Sequence, residues 1–208
     1  MRRIGAVLLL TASAGLLGCG AGNTQFESTW RDPSVTSIQF TKVLVVAISK
    51  EQGQRRTFED EMVKIITANG NAQAVQSYTL LGDIRDTAQA KAKATEAGID
   101  GVVTMRVIGT EKEQRLVGGT AAPSYYGRPW GYYGYGWGSV YDPGYMVTDE
   151  LVQIETNIYS LKENKLVWAG RSETTNPGSV PELIDDVARA VGDELRKQNL
   201  LPPLQPKG

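Results

Sequence analysis

The sequence predicts an α+β domain, a mixed β-sheet of about five strands in βαβαβββα order with helices packed on it. Three observations carry this prediction. Thr41 to Ser49 is a nearly continuous β-branched and aliphatic run (Val43, Leu44, Val45, Val46, Ile48), the pattern of a strand covered on both faces. Between Thr41 and Leu116 strand-like and helix-like periods alternate, which makes a βαβαβ unit with right-handed crossovers and parallel strands. From Val147 to Ser160 the apolar period is two, and a turn and a second strand follow, which makes an antiparallel hairpin.

The chain opens on a leader. Arg2 and Arg3 precede an apolar run from Ile4 to Leu17, then Gly18 and Cys19, so residues 1–18 have the layout of an export signal. The run falls short of the roughly 20 residues that span a bilayer core. Leu16-Leu17-Gly18-Cys19 resembles the lipobox of bacterial lipoproteins. That resemblance implies cleavage before Cys19 and acylation of the cysteine, palmitate included, so that the membrane is a partner held through Cys19. Several acyl chains make such an anchor effectively permanent, because each buried methylene contributes about 0.8 kcal/mol. Inner-membrane retention commonly uses Asp after the cysteine, and this chain has Gly20, so the resemblance implies an outer-membrane lipoprotein facing the periplasm.

Residues 19–28 are small and polar and read as a tether, with a single domain over 29–200 and a frayed tail over 201–208. Trp30-Arg31-Asp32-Pro33 begins the domain, with Trp30 expected as a core plug. After the first strand, Phe58, Met62, Ile65 and Ile66 recur at helical spacing over Arg55 to Asn69, stopped by Gly70. A short strand is expected over Ala72 to Tyr78, and an alanine-rich helix over Asp83 to Ala97, closed by Gly98. The next strand, Asp100 to about Leu116, starts apolar and turns polar. In Val147 to Ser160, Val152, Ile154, Thr156 and Ile158 share the buried face. Lys162 to Lys165 is the turn, and Leu166, Trp168 and Gly170 begin the return. Ser179-Val180-Pro181-Glu182 has capping-box spacing, and Leu183, Val187, Val191 and Leu195 then line the inner face of a last helix.

Through Trp30-x-Asp32-Pro33, the Val43 to Ile48 strand, Gly98-x-Asp100 and the Tyr159 to Trp168 hairpin, the chain resembles an uncharacterised family of bacterial envelope lipoproteins. In topology it is similar to the curli-secretion lipoproteins and to the amino-terminal domain of the Tol-system propeller protein. These motifs are patterns of fold and transfer no chemistry.

The unusual segment is residues 118–145, between the third and fourth expected strands. It holds seven of the nine tyrosines, two of the four tryptophans and eight glycines, a composition that opposes regular structure and reads as a long hairpin insertion. Tyr125, Tyr126, Trp130, Tyr132, Tyr133, Tyr135, Trp137 and Tyr141 are the candidate partner-binding residues, since Tyr and Trp give large amphipathic contact area at low rotamer cost. A flexible low-complexity insertion fits the same composition. As a contact surface, its targets would be another envelope protein, a peptidoglycan strand on which flat rings stack, or the lipid interface.

Composition narrows the chemistry. Without Arg2 and Arg3 the mature chain has 20 Lys+Arg against 23 Asp+Glu, a formal charge of −3, which does not suggest a nucleic-acid partner. The single Cys is the lipidation residue and there is no His, which removes disulfides, Cys nucleophiles, His bases and zinc sites built on them. No cofactor is expected. Glu59/Asp60/Glu61, Asp83/Asp86 and Asp185/Asp186 read as solvated carboxylates in first helical turns or on polar faces. The expectation is a non-enzymatic envelope lipoprotein that serves as a protein-binding, assembly or structural accessory, and the alternative is glycan binding or processing through the aromatic loop.

Overall fold

The structure is a computed structural model and describes residues 23–69, 72–82, 84, 86–117 and 145–203. Six strands form one open mixed sheet: β1 (Thr24–Arg31), β2 (Lys42–Ala47), β3 (Gln73–Gln76), β4 (Gly101–Val117), β5 (Tyr145–Ser160) and β6 (Lys165–Thr175), in the order β1-β6-β5-β4-β2-β3. Among the described residues four helices pack on it: α1 (Gln52–Ala68), α2 (Ser77–Leu80), α3 (Thr87–Glu96) and α4 (Val180–Lys197). The predicted α+β class and the parallel βαβαβ unit hold, because β2 pairs in parallel with both β3 and β4.

The sheet has one strand more than expected. Of the tether expected over 19–28, residues 24–28 belong instead to β1, which pairs antiparallel with β6, and residues 19–22 lie outside the described residues. This strand has only two aromatic residues to mark it. Phe26 meets Trp168 edge-on with ring centroids 5.8 Å apart, and a register shift between Phe26 and Ser28 breaks the alternation that would have revealed the strand. Trp30, expected as a core plug, is 49% exposed on this edge strand, and the plug is Trp168, fully buried on β6. The expected helix at 55–69 begins earlier, at Gln52.

β2 is covered on both faces, as its composition predicts. Val43, Val45 and Ala47 join the main core under α1 and α4, whereas Leu44 joins Ala94 of α3 and Ile99 on the opposite face. On β5, Val152, Ile154, Thr156 and Ile158 are all buried, which fixes the register since a one-residue slip would expose the whole set. Against them α4 sets Leu183, Ile184, Val187, Val191 and Leu195. Ser179 caps α4 by accepting from the Glu182 N–H at 3.3 Å.

Two sequence motifs receive a structural reason. Gly98, at φ 72, ends the α3 segment in the left-handed region that glycine tolerates. Asp100, two residues on, accepts from the Thr41 and Lys42 backbone N–H groups and the Thr41 hydroxyl, tying the start of β2 to the start of β4. Burial alone would raise the Asp100 carboxyl, but these hydrogen bonds outweigh it and hold it below the ordinary carboxylate range. In the Trp30-x-Asp32-Pro33 motif, Asp32 accepts from both the Ser34 N–H and hydroxyl and pairs with Lys165 at 3.1 Å.

Candidate functional site

Cys19 and the aromatic candidates Tyr125, Tyr126, Trp130, Tyr132, Tyr133, Tyr135, Trp137 and Tyr141 lie outside the described residues. What is described is the support that carries the aromatic segment. β6 stops opposite Leu151 and β2 opposite Met105, yet β4 and β5 stay paired from Lys112↔Glu150 to Val117↔Tyr145. These six pairs form a two-stranded arm about 20 Å long beyond the sheet.

An isolated two-stranded ribbon is marginal in water, and this one is braced at its root. Asn176, at φ 51, donates its backbone N–H to the Glu150 carbonyl at 2.7 Å and accepts the Glu150 N–H on its side-chain oxygen at 2.8 Å. Its amide nitrogen also donates to Asp149 at 2.7 Å, and Arg115 Nε donates to the other Asp149 oxygen at 3.1 Å. The Asn176 bond first, then Arg115, holds the Asp149 carboxyl below its ordinary value. Beyond the brace, Tyr145 and Met146 are 64% and 59% exposed at the outer end of the arm.

Register places the arm relative to the amino-terminal end of β1. Thr24 pairs with Thr174, Thr174 with Val152 and Val152 with Thr110. Thr24 and the root of the arm are therefore at the same end of the sheet.

Of the acidic residues expected to be solvated, Glu59 departs from that reading. Glu59 is fully buried, not solvated, because α1 starts at Gln52 and Glu59 sits two turns in, facing the sheet. Its carboxylate accepts from the Ala47 N–H (3.1 Å), Arg55 Nε (3.0 Å), the Ser77 hydroxyl (2.7 Å) and the Tyr78 N–H (3.0 Å), and Arg55 also reaches Ser77 at 2.7 Å. Those four bonds use the lone pairs a base would need, and they knot the ends of β2, β3 and α1 together. Asp60 is engaged by the Tyr78 hydroxyl at 2.6 Å and by Gln76 at 3.1 Å. Asp86 caps α3 through the Gln89 N–H, and Asp185 and Asp186 pair with Arg189 on the outer side of α4. Asp83 lies outside the described residues. Among the described residues no group of acids has the arrangement to hold a metal ion, and no helix is long and apolar enough to cross a membrane.

One concavity was not signalled by any motif. A cavity of about 580 Å³ lies between the carboxyl-terminal halves of α1 and α4, floored by β2, β4 and β5 and flanked by residues 37–40 and 199–203. Its size falls in the range of small-molecule sites, roughly 300 to 1,000 Å³. The walls are aliphatic: Met62, Ile65 and Ile66 from α1, Ala188, Val191 and Leu195 from α4, and Val43, Val103 and Ile158 from the sheet. Ser37, Gln39, Asn69, Thr156, Arg196 and Asn199 are the polar residues of the lining, and two of them carry a buried atom without a partner among the described residues. Thr156 is 1% exposed and its hydroxyl has no hydrogen-bond partner among the described residues. Arg196 bonds Asp193 through Nη1 at 3.0 Å, while its buried Nε has no partner among them. A buried polar group left unpaired costs about 1–3 kcal/mol. Gly192 makes room for this arginine, since a Cβ there would lie 3.1 Å from Nη1.

No protein-family profile and no curated protein matches the chain. Solved structures resemble it distantly. A PelC dodecamer from Paraburkholderia phytofirmans is 11% identical, over 86% of this chain and 99% of that one, with a TM-score of 0.45. The lipoprotein GNA1162 from Neisseria meningitidis is 11% identical over 76% and 99%, with a TM-score of 0.40. The hypothetical protein CT253 from Chlamydia trachomatis is 8% identical over 76% and 92%, with a TM-score of 0.33.

Proposed function

We propose that the protein is a lipid-anchored, non-enzymatic accessory of the bacterial envelope, held to the outer membrane by acylated Cys19 on its periplasmic side, that engages another envelope component at the membrane surface through its aromatic segment. The observation that carries the proposal is the shared end of the sheet. Thr24 and the root of the β4–β5 arm are level with one another. Cys19 precedes Thr24 by five residues, a reach of about 17 Å at full extension, and the arm runs about 20 Å in the same direction. An anchor and an arm of matching reach support a contact made at the level of the membrane. There, rings that are apolar on their faces and polar at their edge suit both the lipid interface and a membrane-held protein.

The carboxylates support a binding role over a catalytic one. Glu59, Asp60, Asp86 and Asp149 are each engaged in holding an element in place.

The test is made in intact cells. Site-specific cross-linkers at Trp130 and Trp137 are expected to capture a membrane-associated envelope protein from the full chain. A chain lacking 118–144 is expected to fold and stay anchored without capturing it. Capture unchanged by the deletion overturns the role of the segment. Saturable retention on purified peptidoglycan that is lost on Trp130→Ala replaces this reading with the glycan one. Failure of Cys19→Ser to abolish palmitate labelling overturns the anchor.

A further inference from the structure

We propose that the cavity between α1 and α4 is a binding site for a long-chain aliphatic carboxylate, with the hydrocarbon chain between the helices and the carboxylate on Arg196. Three features of the site select this chemistry. Its walls are built from branched and straight aliphatic side chains of both helices and the sheet, so the body of the ligand is hydrocarbon. Among the described residues Arg196 is the one charged residue lining the cavity, and of its nitrogens Nη1 bonds Asp193 while Nε has no partner among them, which leaves Nε to receive an anionic oxygen. Gly192 keeps the slot beneath the guanidinium clear.

The second, independent sign is Thr156. It stands in the middle of β5, 1% exposed, lines the cavity, and has an unpartnered hydroxyl where its neighbours on the same face are Ile154 and Ile158. A valine would fill that position with equal volume and no unpaired group. The hydroxyl favours an aliphatic ligand bearing an oxygen along its chain over a plain one, because only the former pairs it. The site is distinct from the β4–β5 arm. Val43 and Val103 lie near the starts of β2 and β4, and Ile158 near the finish of β5, so the cavity sits toward the end of the sheet opposite the arm.

The full chain, reconstituted in phosphatidylcholine nanodiscs, tests this with a photoactivatable diazirine analogue of hexadecanoic acid. Adducts mapped by mass spectrometry are expected on α1 and α4, competed by excess hexadecanoate and about tenfold less well by hexadecanol. Ala188→Trp, which fills the groove, is expected to lower adduct yield there about tenfold, and Arg196→Gln to abolish the preference for acid over alcohol. Thr156→Val is expected to keep hexadecanoate binding and lose the advantage of a hydroxylated chain. Circular dichroism identifies any variant that fails to fold, and Val191→Phe is the second groove-filling change. Adducts outside the groove, or labelling insensitive to both filled variants, overturn the site. Equal competition by acid and alcohol overturns the carboxylate.

Discussion

The carboxylate of Asp100 accepts both the backbone N–H and the hydroxyl of Thr41, each at 2.8 Å, across 59 residues of sequence. One side chain thereby sets the relative start of two parallel strands that no turn connects. Asp100→Ala is expected to destabilise the domain by about 1–2 kcal/mol in urea unfolding, with amide exchange rising first at Lys42 and Val43.

The same geometry predicts the acid limb of stability. Asp32 is held down from 3.8 to about 2 by the Ser34 hydroxyl and N–H and then by Lys165, and Asp100 is also depressed. A carboxyl whose folded value lies below its unfolded one contributes fully above the unfolded value and loses that contribution as pH falls through the folded one. Stability is therefore expected to drop between about pH 4 and pH 2. Asp32→Asn is expected to flatten that drop, as measured by thermal melts over the same interval. A melting profile as steep as wild type overturns the assignment.

Removing the Glu59 carboxylate leaves the Ala47 and Tyr78 N–H groups without their partner and takes the ion pair from Arg55, which keeps its bond to the Ser77 hydroxyl. Glu59→Ala is expected to cost about 3–5 kcal/mol, and Glu59→Gln less, because the amide still accepts on one oxygen. Denaturant titration of both variants checks the order.

Two tryptophans separate by position. Trp168→Ala empties a fully buried site and is expected to cost about 3–5 kcal/mol, whereas Trp30→Ala on the edge strand stays within about 0.5 kcal/mol. Near-UV circular dichroism is expected to lose its aromatic signal mainly in the Trp168 variant.

Asn176→Ala is expected to loosen the arm alone. Hydrogen exchange from Lys112 to Arg115 and from Val147 to Glu150 is expected to accelerate about tenfold, with the β5 core residues Ile154 to Ile158 unchanged. Uniform acceleration would mean that the brace serves the whole sheet.

The regular core was legible because its signals are local. The alternation of Val152 to Ile158, the double-faced Val43 to Ala47 strand and the Ser179 cap all act within a few residues. β1 was not legible, since a bulge interrupts its pattern and its apolar content is Phe26 and Trp30 alone. Composition does not tell an edge tryptophan from a central one, so Trp30 read as the core plug, a role that Trp168 fills. Glu59 read as solvated because the start of α1 was placed a turn late, which moved a buried position into the exposed first turn. The cavity is assembled from α1, α4 and three strands, and no sequence window contains it.

β1 and β4 are separated by two intervening strands, about 14 Å across the sheet. A body fastened at one such point swivels freely, but one fastened at both has a footing and keeps a single rotational axis. Attachment through both the amino-terminal leash and the arm would therefore fix which way the domain faces, with the far rim, where α4 finishes beside Leu200, turned outward from whatever surface it stands on.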